Sequence, residues 1–162
     1  TLVRITVAMI LATWFGSGKL RPAPGTWGTL AALPFAFAIH AAMGWIGLFL
    51  ATGIVTAIGV WAAHAHSQNI GIHDASEIVI DEVAGIWLCL LFVELSLASM
   101  VLGFILFRVF DIVKPWPIRW LDRRVKGGVG VMLDDLVAGI AAGVLLWAIT
   151  AFIIPSEWLS WT

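Results

Sequence analysis

The sequence predicts an all-α fold, a polytopic integral membrane helical bundle of about five spans with a short N-terminal interfacial or re-entrant helix. Of the 162 residues, 61% are hydrophobic and only 12% are charged, whereas soluble domains carry roughly 25% charged residues. The mean hydropathy is +1.02, and the apolar residues form runs separated by short polar segments. A soluble core of this size could not bury so much apolar surface. We therefore expect residues 1–162 to form one membrane-embedded domain.

Six apolar stretches define the predicted elements. The first, residues 5–15, cannot cross a hydrocarbon core of roughly 30 Å at about 1.5 Å per residue, so it is interpreted as the interfacial or re-entrant helix. The predicted spans are residues 27–42, 45–63, 78–93, 97–110 and 131–154. Gly44 begins a turn between the first two spans, and Pro155 ends the last one.

Basic residues are divided unevenly between the two faces of this bundle. With five spans, the loops at 16–26, 64–77 and 111–130 share one face. These loops carry seven Lys and Arg residues, and the turns and the tail on the opposite face carry none. The positive-inside rule therefore predicts that the polar loops face the cytoplasm.

A short internal repeat predicts a helix contact. Residues 81–86 read Asp-Glu-Val-Ala-Gly-Ile, and residues 135–140 match them at five of six positions. In each copy an Asp precedes a Gly by one helical turn and lies on the same face. Small residues let membrane helices approach closely. If the match is not a chance one, two helices packed through Gly85 and Gly139 would bring Asp81 and Asp135 together.

Carboxylates are concentrated at the cytoplasmic ends of the predicted spans, at Asp81, Glu82, Asp111, Asp134 and Asp135. Carboxylates at membrane depth are costly and need partners. Helix N-terminal acids are one alternative interpretation, but they do not explain two adjacent doublets, because neighbouring carboxylates repel each other. Structural ion pairing with the nearby basic residues is the other alternative. A hard divalent cation, Mg²⁺ with Mn²⁺ as a second choice, suits such ligands. The predicted metal ligands are Asp81, Glu82, Asp134 and Asp135.

Basic side chains accompany the acids. Arg108, Asp111 and Lys114 are spaced i, i+3, i+6, so they would form one polar stripe if the helix continues to Lys114, before Pro115 stops it. An acid between two bases at the mouth of a metal site suits a phosphate ligand, and Arg119 is a further candidate. The alternatives are a stripe that neutralises itself and generic anchoring to anionic lipid head groups.

Two loop motifs complete the candidate site. The Gly-rich segment containing Gly25 and Thr26 could present backbone N–H groups to an anion at a helix N-terminus, or Thr26 could simply cap that helix. His73 and Asp74 precede Asp81 in a polar loop and could assist proton transfer. A surface turn is the alternative interpretation for this pair.

Taken in order, these motifs resemble the phosphatidylglycerophosphatase A family of bacterial membranes. The resembling stretches are Phe15-Gly16-Ser17-Gly18 with Pro24-Gly25-Thr26, Gly71-Ile72-His73-Asp74 with Asp81-Glu82, Phe107-Arg108-Val109-Phe110-Asp111 with Lys114-Pro115-Trp116-Pro117-Ile118-Arg119, and Gly127-Gly128-Val129-Gly130 with Asp134-Asp135. They extend from residue 15 into the repeat that ends at residue 140.

The resemblance implies a reaction and a location. It implies removal of the terminal phosphate of phosphatidylglycerophosphate, giving phosphatidylglycerol and inorganic phosphate, with Mg²⁺ required, at the bacterial inner membrane. It also implies that the acidic motifs on the polar face form the catalytic site, without settling which carboxylate does what. No nucleic acid or protein partner is expected.

The mechanism is narrowed by exclusion. The chain has no Cys-x5-Arg pattern after Cys89 and no Asp-x-Asp nucleophile motif, which leaves metal-assisted attack of water on phosphorus. In this hypothesis Asp111 completes the metal shell or acts as base. Charge on the phosphate is neutralised by Arg108, Lys114 and Arg119.

The competing classes are an ion-coupled transporter or channel and a membrane subunit with a purely structural charge network. Intramembrane acids also mark ion pathways, but transport sites lie near the midplane. Here the doublets lie near span ends, and residues 87–93 and 144–149 carry no charge.

Overall fold

The computed structural model describes residues 2–72, 75–155 and 157 as an all-α protein, which confirms the predicted fold class. No strand occurs in the part of the chain that is described. The helices described are, in order, α1 (Leu2–Ala12), α2 (Pro24–Ile70), α3 (Ile80–Leu90), α4 (Leu97–Val113), α5 (Ile118–Arg124) and α6 (Gly127–Phe152), with a 3-10 turn at Ser17–Lys19 between α1 and α2. The candidate residues His73 and Asp74 lie outside the described residues.

Helix α2 is a hairpin of two arms, residues 24–43 and 45–70. Gly44 has a non-helical backbone with φ 67° and ψ -163°, in the left-handed region that glycine tolerates best. Gly28 packs against Val79, and Gly59 lies beside the adjacent Ile80. Two residues so far apart along a straight helix could not both meet neighbouring residues, so the chain folds back at Gly44. The turn predicted there is confirmed.

Helix α3 is the centre of the bundle. It has 11 residues, nine of them buried, and it packs against α2, α4 and α6. The indole N–H of Trp87 donates to the carbonyl oxygen of Ala32 at 2.9 Å, which ties α3 to the first arm of α2. Since neighbouring helices enclose α3, its polar residues face protein rather than lipid.

The predicted contact between Gly85 and Gly139 is present where α3 crosses α6. A Cβ added at Gly139 would overlap the backbone of Gly85, and one added at Gly85 would lie 2.8 Å from the carbonyl oxygen of Asp135. Phe107 of α4 covers the same point. The two backbones therefore touch directly, as small residues allow.

The structure does not establish five spans. Two helices, Pro24–Ile70 and Gly127–Phe152, are long and apolar enough to cross a membrane. The predicted third span, 78–93, is helical only over Ile80–Leu90, about 16 Å at 1.5 Å per residue, too short for a core of roughly 30 Å. Many large apolar side chains are nevertheless exposed on the outer helices, which is typical of a surface that faces lipid.

Several predicted element boundaries were wrong. Helix α6 begins at Gly127 rather than residue 131, because Gly128 and Gly130 pack closely on the backbone of Val60 and Val125. Helix α5 lies in the segment 111–130, for which the sequence predicts a loop. Its seven residues stand between Pro117 and the extended Val125, and so short a stretch shows little periodicity.

Candidate active site

The three polar loops come together at one end of the bundle. Arg21 donates to the hydroxyl of Ser76 at 3.3 Å, which joins the loop before α2 to the segment before α3. In that segment, Glu77 pairs with buried His66 of α2 at 2.6 Å. Gly18 packs on the carbonyl of Glu77, leaving no room for a side chain. This end therefore brings together motifs that are far apart in the sequence.

A cleft of about 380 Å³ opens at this end of the bundle. It is lined by Pro24, Gly25, Ala75, Ser76, Ile78, Asp81, Glu82, Arg108, Asp111, Ile112, Lys114, Val131, Asp134 and Asp135. Among the described lining residues, five are carboxylates and two are basic, an excess of three negative charges. All five predicted acids therefore meet in one place.

Three of the carboxylates converge. One oxygen each from Asp81, Glu82 and Asp135 lies within 4.8 Å of the others. Glu82 Oε2 and Asp135 Oδ2 are buried and have no hydrogen-bond partner among the described residues, although such a position normally costs free energy. Convergent, buried and unpartnered oxygens are the ligand set that a hard divalent cation takes. The residues present fit such an ion.

Asp134 has a different environment. It is the eighth residue of α6, so the interpretation of Asp134 and Asp135 as N-terminal acids does not hold. Its Oδ2 accepts a short hydrogen bond from the Lys114 ammonium, which also donates to Asp122 Oδ1 at 3.1 Å. No oxygen of Asp134 belongs to the convergent set formed by Asp81, Glu82 and Asp135. The role of Asp134 as a metal ligand therefore stays a prediction.

Lys114 does not continue the helical stripe that was predicted. Helix α4 ends at Val113, and Lys114 takes a left-handed conformation with φ 47°. This turn directs its ammonium to Asp134 and Asp122. Burial alone would lower the pKa of Lys114, but the hydrogen bond and charge of Asp134, with a contribution from Asp122, outweigh it and raise that pKa. Lys114 therefore stays protonated in the cleft.

Arg108 links two acidic elements. Its Nη1 forms a short ion pair with Asp111, three residues along α4, and lies 3.6 Å from Glu82 Oε1 of α3. The i, i+3 relation between Arg108 and Asp111 was predicted and is present. A Cβ added at Gly25 would overlap Glu82 Oε1 and lie 3.0 Å from both terminal nitrogens of Arg108. A side chain at this position would therefore displace the ends of the Glu82 and Arg108 side chains.

The remaining predicted residues lie at or beyond the margin of the cleft. Helix α2 begins at Pro24 after Ala23, so Thr26 lies inside the first turn, and its interpretation as the helix cap was wrong. Arg119 donates to the carbonyl oxygen of Val113 at 3.0 Å and lines a neighbouring groove instead.

Sequence reasoning missed two parts of the site. Asp122 was passed over, although its carboxylate helps to hold Lys114; a lone acid among four basic neighbours was the available signal. The His66–Glu77 pair was also missed. Its members lie on different elements, and no local pattern joins them.

A family model and two relatives among known proteins carry the same name. The family model "Phosphatidylglycerophosphatase A" matches residues 10–150. The chain is 44% identical to "Phosphatidylglycerophosphatase A" of Escherichia coli K12 over 84% of this chain and 80% of that protein. It is 37% identical to the protein of the same name from Haemophilus influenzae over 86% of each chain.

A third relative carries a different name. A Bacteroides thetaiotaomicron protein named "Putative phosphatidylinositol-3-phosphatase" is 37% identical over 85% of this chain and 90% of that protein. No solved structure shows a significant match. The family model covers most of the chain, including every described residue that lines the cleft. The chain therefore belongs to the phosphatidylglycerophosphatase A family of phosphatases.

Proposed function

We propose that this protein hydrolyses phosphatidylglycerophosphate to phosphatidylglycerol and inorganic phosphate in a reaction that requires Mg²⁺, with Mn²⁺ as a second choice. The observation that carries the proposal is the convergence of Asp81, Glu82 and Asp135 in a cleft that also holds Arg108 and Lys114. This arrangement offers oxygen ligands and phosphate-binding cations within one small space.

The charge of the cleft supports the metal requirement. A phosphomonoester is an anion, and the described lining residues would carry an excess of three negative charges if all of them were ionised. Without added positive charge the substrate would be repelled. Asp81, Glu82 and Asp135 would hold the divalent ion, with Asp134 as a further ligand. When bound, the ion would supply Lewis acidity and neutralise charge on the phosphoryl oxygens.

The side chains of the cleft divide the remaining tasks. Arg108 and Lys114 hold the phosphate oxygens and stabilise the charge that they gain in the transition state. Asp111, oriented by Arg108, accepts a proton at a carboxylate oxygen as a water molecule attacks phosphorus. The bond from phosphorus to the head-group glycerol oxygen breaks, the proton taken up by Asp111 passes to that oxygen, and inorganic phosphate and the lipid alcohol leave. Arg119, His73, Asp74, Gly25 and Thr26 remain candidates for substrate positioning or proton transfer.

The proposed placement is the bacterial inner membrane, in several passes, with the cleft facing the cytoplasm. Seven Lys and Arg residues in the loops at this end, against none at the other, support the orientation. A cleft at the end of the bundle suits a lipid whose head group lies at the interface. The transporter interpretation gains no support, because the relatives are phosphatases and the acids avoid the middle of α6.

The decisive experiment is phosphate release by the purified protein in mixed micelles. We expect turnover of phosphatidylglycerophosphate with Mg²⁺, none with EDTA, and recovery when Mg²⁺ is restored. Phosphatidylinositol 3-phosphate serves as the second substrate, since one relative bears that name. Undiminished turnover in EDTA would refute the metal requirement, and a preference for the inositol lipid would refute the substrate.

A labelling experiment tests the placement. In a Cys89→Ala background, cysteines introduced at Gln68 and Lys126 should react with a membrane-impermeant maleimide only from the cytoplasmic side, and one at Glu94 only from the other side. Reaction of positions 68 and 126 from opposite sides would contradict a shared cytoplasmic site.

A further inference from the structure

A groove of about 600 Å³ lies beside the cleft, along α5 and the turn before it. Its lining is basic and aromatic: Val113, Lys114, Pro115, Trp116, Arg119, Trp120, Arg123 and Arg124. None of the described residues that line it is acidic. The proposed reaction assigns no task to this groove beyond Lys114 and Arg119.

The amphipathic pattern of α5 explains the groove. Ile118 is 1% exposed and anchors one side of the helix to the bundle, and Asp122 on that side bonds Lys114. The other side presents Arg119, Trp120, Arg123 and Arg124 to the outside. Trp120 is 51% exposed, and Trp116 in the preceding turn is 83% exposed. Large aromatic side chains left open in this way are unusual on a surface that meets only water.

We propose that this groove binds the phosphodiester head group of an anionic bilayer phospholipid, as a second lipid site separate from the cleft. The groove presents three guanidinium groups and no carboxylate among its described lining residues, because the nearby Asp122 pairs with Lys114. Such a set complements a phosphodiester, which arginine can hold through two parallel hydrogen bonds. Exposed indoles favour the head-group level of a bilayer. The proposal rests on the membrane placement proposed above.

The groove and the cleft are distinct binding spaces. Of the described residues, only Lys114 lines both, and its ammonium is engaged by Asp134 and Asp122. The cleft offers convergent carboxylates, which suit a cation with a phosphomonoester. The groove offers only cations, which suit the single charge of a phosphodiester. The product of the proposed reaction is itself a lipid of this chemical class, so it is the probe to use.

The test measures lipid binding rather than turnover. Native mass spectrometry of the full chain in neutral detergent gives the affinity for added phosphatidylglycerol. Replacing both Arg123 and Arg124 by Ala should weaken binding about tenfold or more, since each basic residue contributes to attraction of an anionic lipid. Replacing Lys19 and Arg21 by Ala removes two exposed charges elsewhere and should change the affinity less than about twofold.

A charge-preserving variant distinguishes a binding site of defined geometry from nonspecific electrostatic attraction. Replacing Arg123 and Arg124 by Lys keeps both charges but removes the bidentate geometry, so binding should weaken about threefold or more. Binding equal to wild type in this variant would overturn the proposal, because charge alone would then suffice. An equal loss of binding in the Lys19 and Arg21 variant would also overturn the proposal. Displacement of the lipid by inorganic phosphate with Mg²⁺ would overturn it as well, because the lipid would then lie in the cleft. Intact binding in a protein without turnover would refute the phosphatase proposal and leave this site standing.

Discussion

The two ends of the bundle contain cavities of similar volume and very different chemistry. The cleft at the start of α3 and α6 has about 380 Å³, and the cavity at their other end has about 420 Å³. The far cavity is walled by Trp45, Phe92 and Trp147, and Glu94 is the one acid among its described lining residues. Glu94 is exposed, whereas Asp81 and Asp135 are buried. Volume therefore does not distinguish the proposed active site from the far cavity, whereas the convergence of buried carboxylates does.

The largest expected effect comes from removing one converging carboxylate. Asp81→Asn or Asp135→Asn should lower kcat/KM at least about 100-fold, the scale of losing one preorganised electrostatic group. The protein should stay folded, and its unfolding temperature without metal should not fall, because one source of repulsion is gone. Phosphate-release kinetics and thermal unfolding in detergent measure the two quantities.

Glu94→Gln is the matched control at the far end. It removes the same charge from a cavity of similar size and should leave kcat/KM within about twofold, as for most exposed substitutions. A comparable loss at Glu94 would break the contrast between the two ends. Near-normal Mg²⁺-dependent activity in Asp81→Asn would exclude that residue as a ligand.

The next effect concerns the basic residues. Arg108→Ala and Lys114→Ala should each lower kcat/KM by about 2–4 kcal/mol equivalents, because both lie among the acids at fixed positions. Arg124→Ala, on the outer side of α5, should cost about 1 kcal/mol or less, mainly as surface affinity that falls with salt. Kinetics in anionic and neutral micelles separate these roles. Equal losses at Lys114 and Arg124, both relieved in neutral micelles, would mean that the cluster is only a membrane anchor.

A smaller effect is expected at the helix crossing that positions the acids. Gly139→Ala places a methyl group against the backbone of Gly85, and such overpacking typically destabilises by about 1–3 kcal/mol. Activity should fall as well, because Asp81 and Asp135 lie one turn from this contact. The control is Gly53→Ala, since a Cβ there has no neighbour within 4 Å among the described residues. If both variants unfold at the wild-type temperature, the backbone contact does not set the distance between the acids.

The smallest effect is expected at the His66–Glu77 pair. His66→Ala removes the partner of a partly buried carboxylate and should cost about 1 kcal/mol of stability. Activity should fall severalfold, since Glu77 holds the segment that leads into Asp81. His64→Ala, on an exposed position two residues away, is the comparison. Identical unfolding and activity for the two variants would show that the pair is not needed to hold this segment.

The sequence was informative where a local pattern sets the structure. The turn at Gly44, the contact of Gly85 with Gly139 and the convergence of Asp81 with Asp135 all follow from residue type and spacing. The end of α4 did not follow, because Lys114 takes a left-handed conformation that its partners Asp134 and Asp122 help to hold. Those partners lie 20 and 8 residues away. Tertiary contacts of this kind leave no trace in periodicity.

The failure to predict helix α5 from the sequence has partly the same explanation. Its seven residues follow Pro115 and Pro117 and contain three arginines, so composition favoured a polar loop. The burial of Ile118 in the bundle favours a helix over a loop in this segment. That burial can be seen only in the three-dimensional structure. The sequence also predicts different positions for Lys114, which Pro115 follows, and for Arg124, which lies before Gly127 and Gly128. Arg124 is exposed, as expected, and phosphate binding by Lys114 stays a prediction.

The contact between Gly85 and Gly139 is also the point about which α3 and α6 would rotate relative to each other. Asp81 and Asp135 stand one turn beyond it, four residues or about 6 Å along their helices. Helices in bilayers tilt when the thickness of the lipid changes. Because each carboxylate lies so close to this contact, a change of about 10° in the crossing angle of the two helices moves it by only about 1 Å. The far ends of the helices move much further. A lipid-modifying enzyme alters the bilayer around it, and this geometry would keep the distances among its clustered carboxylates nearly constant while that bilayer changes.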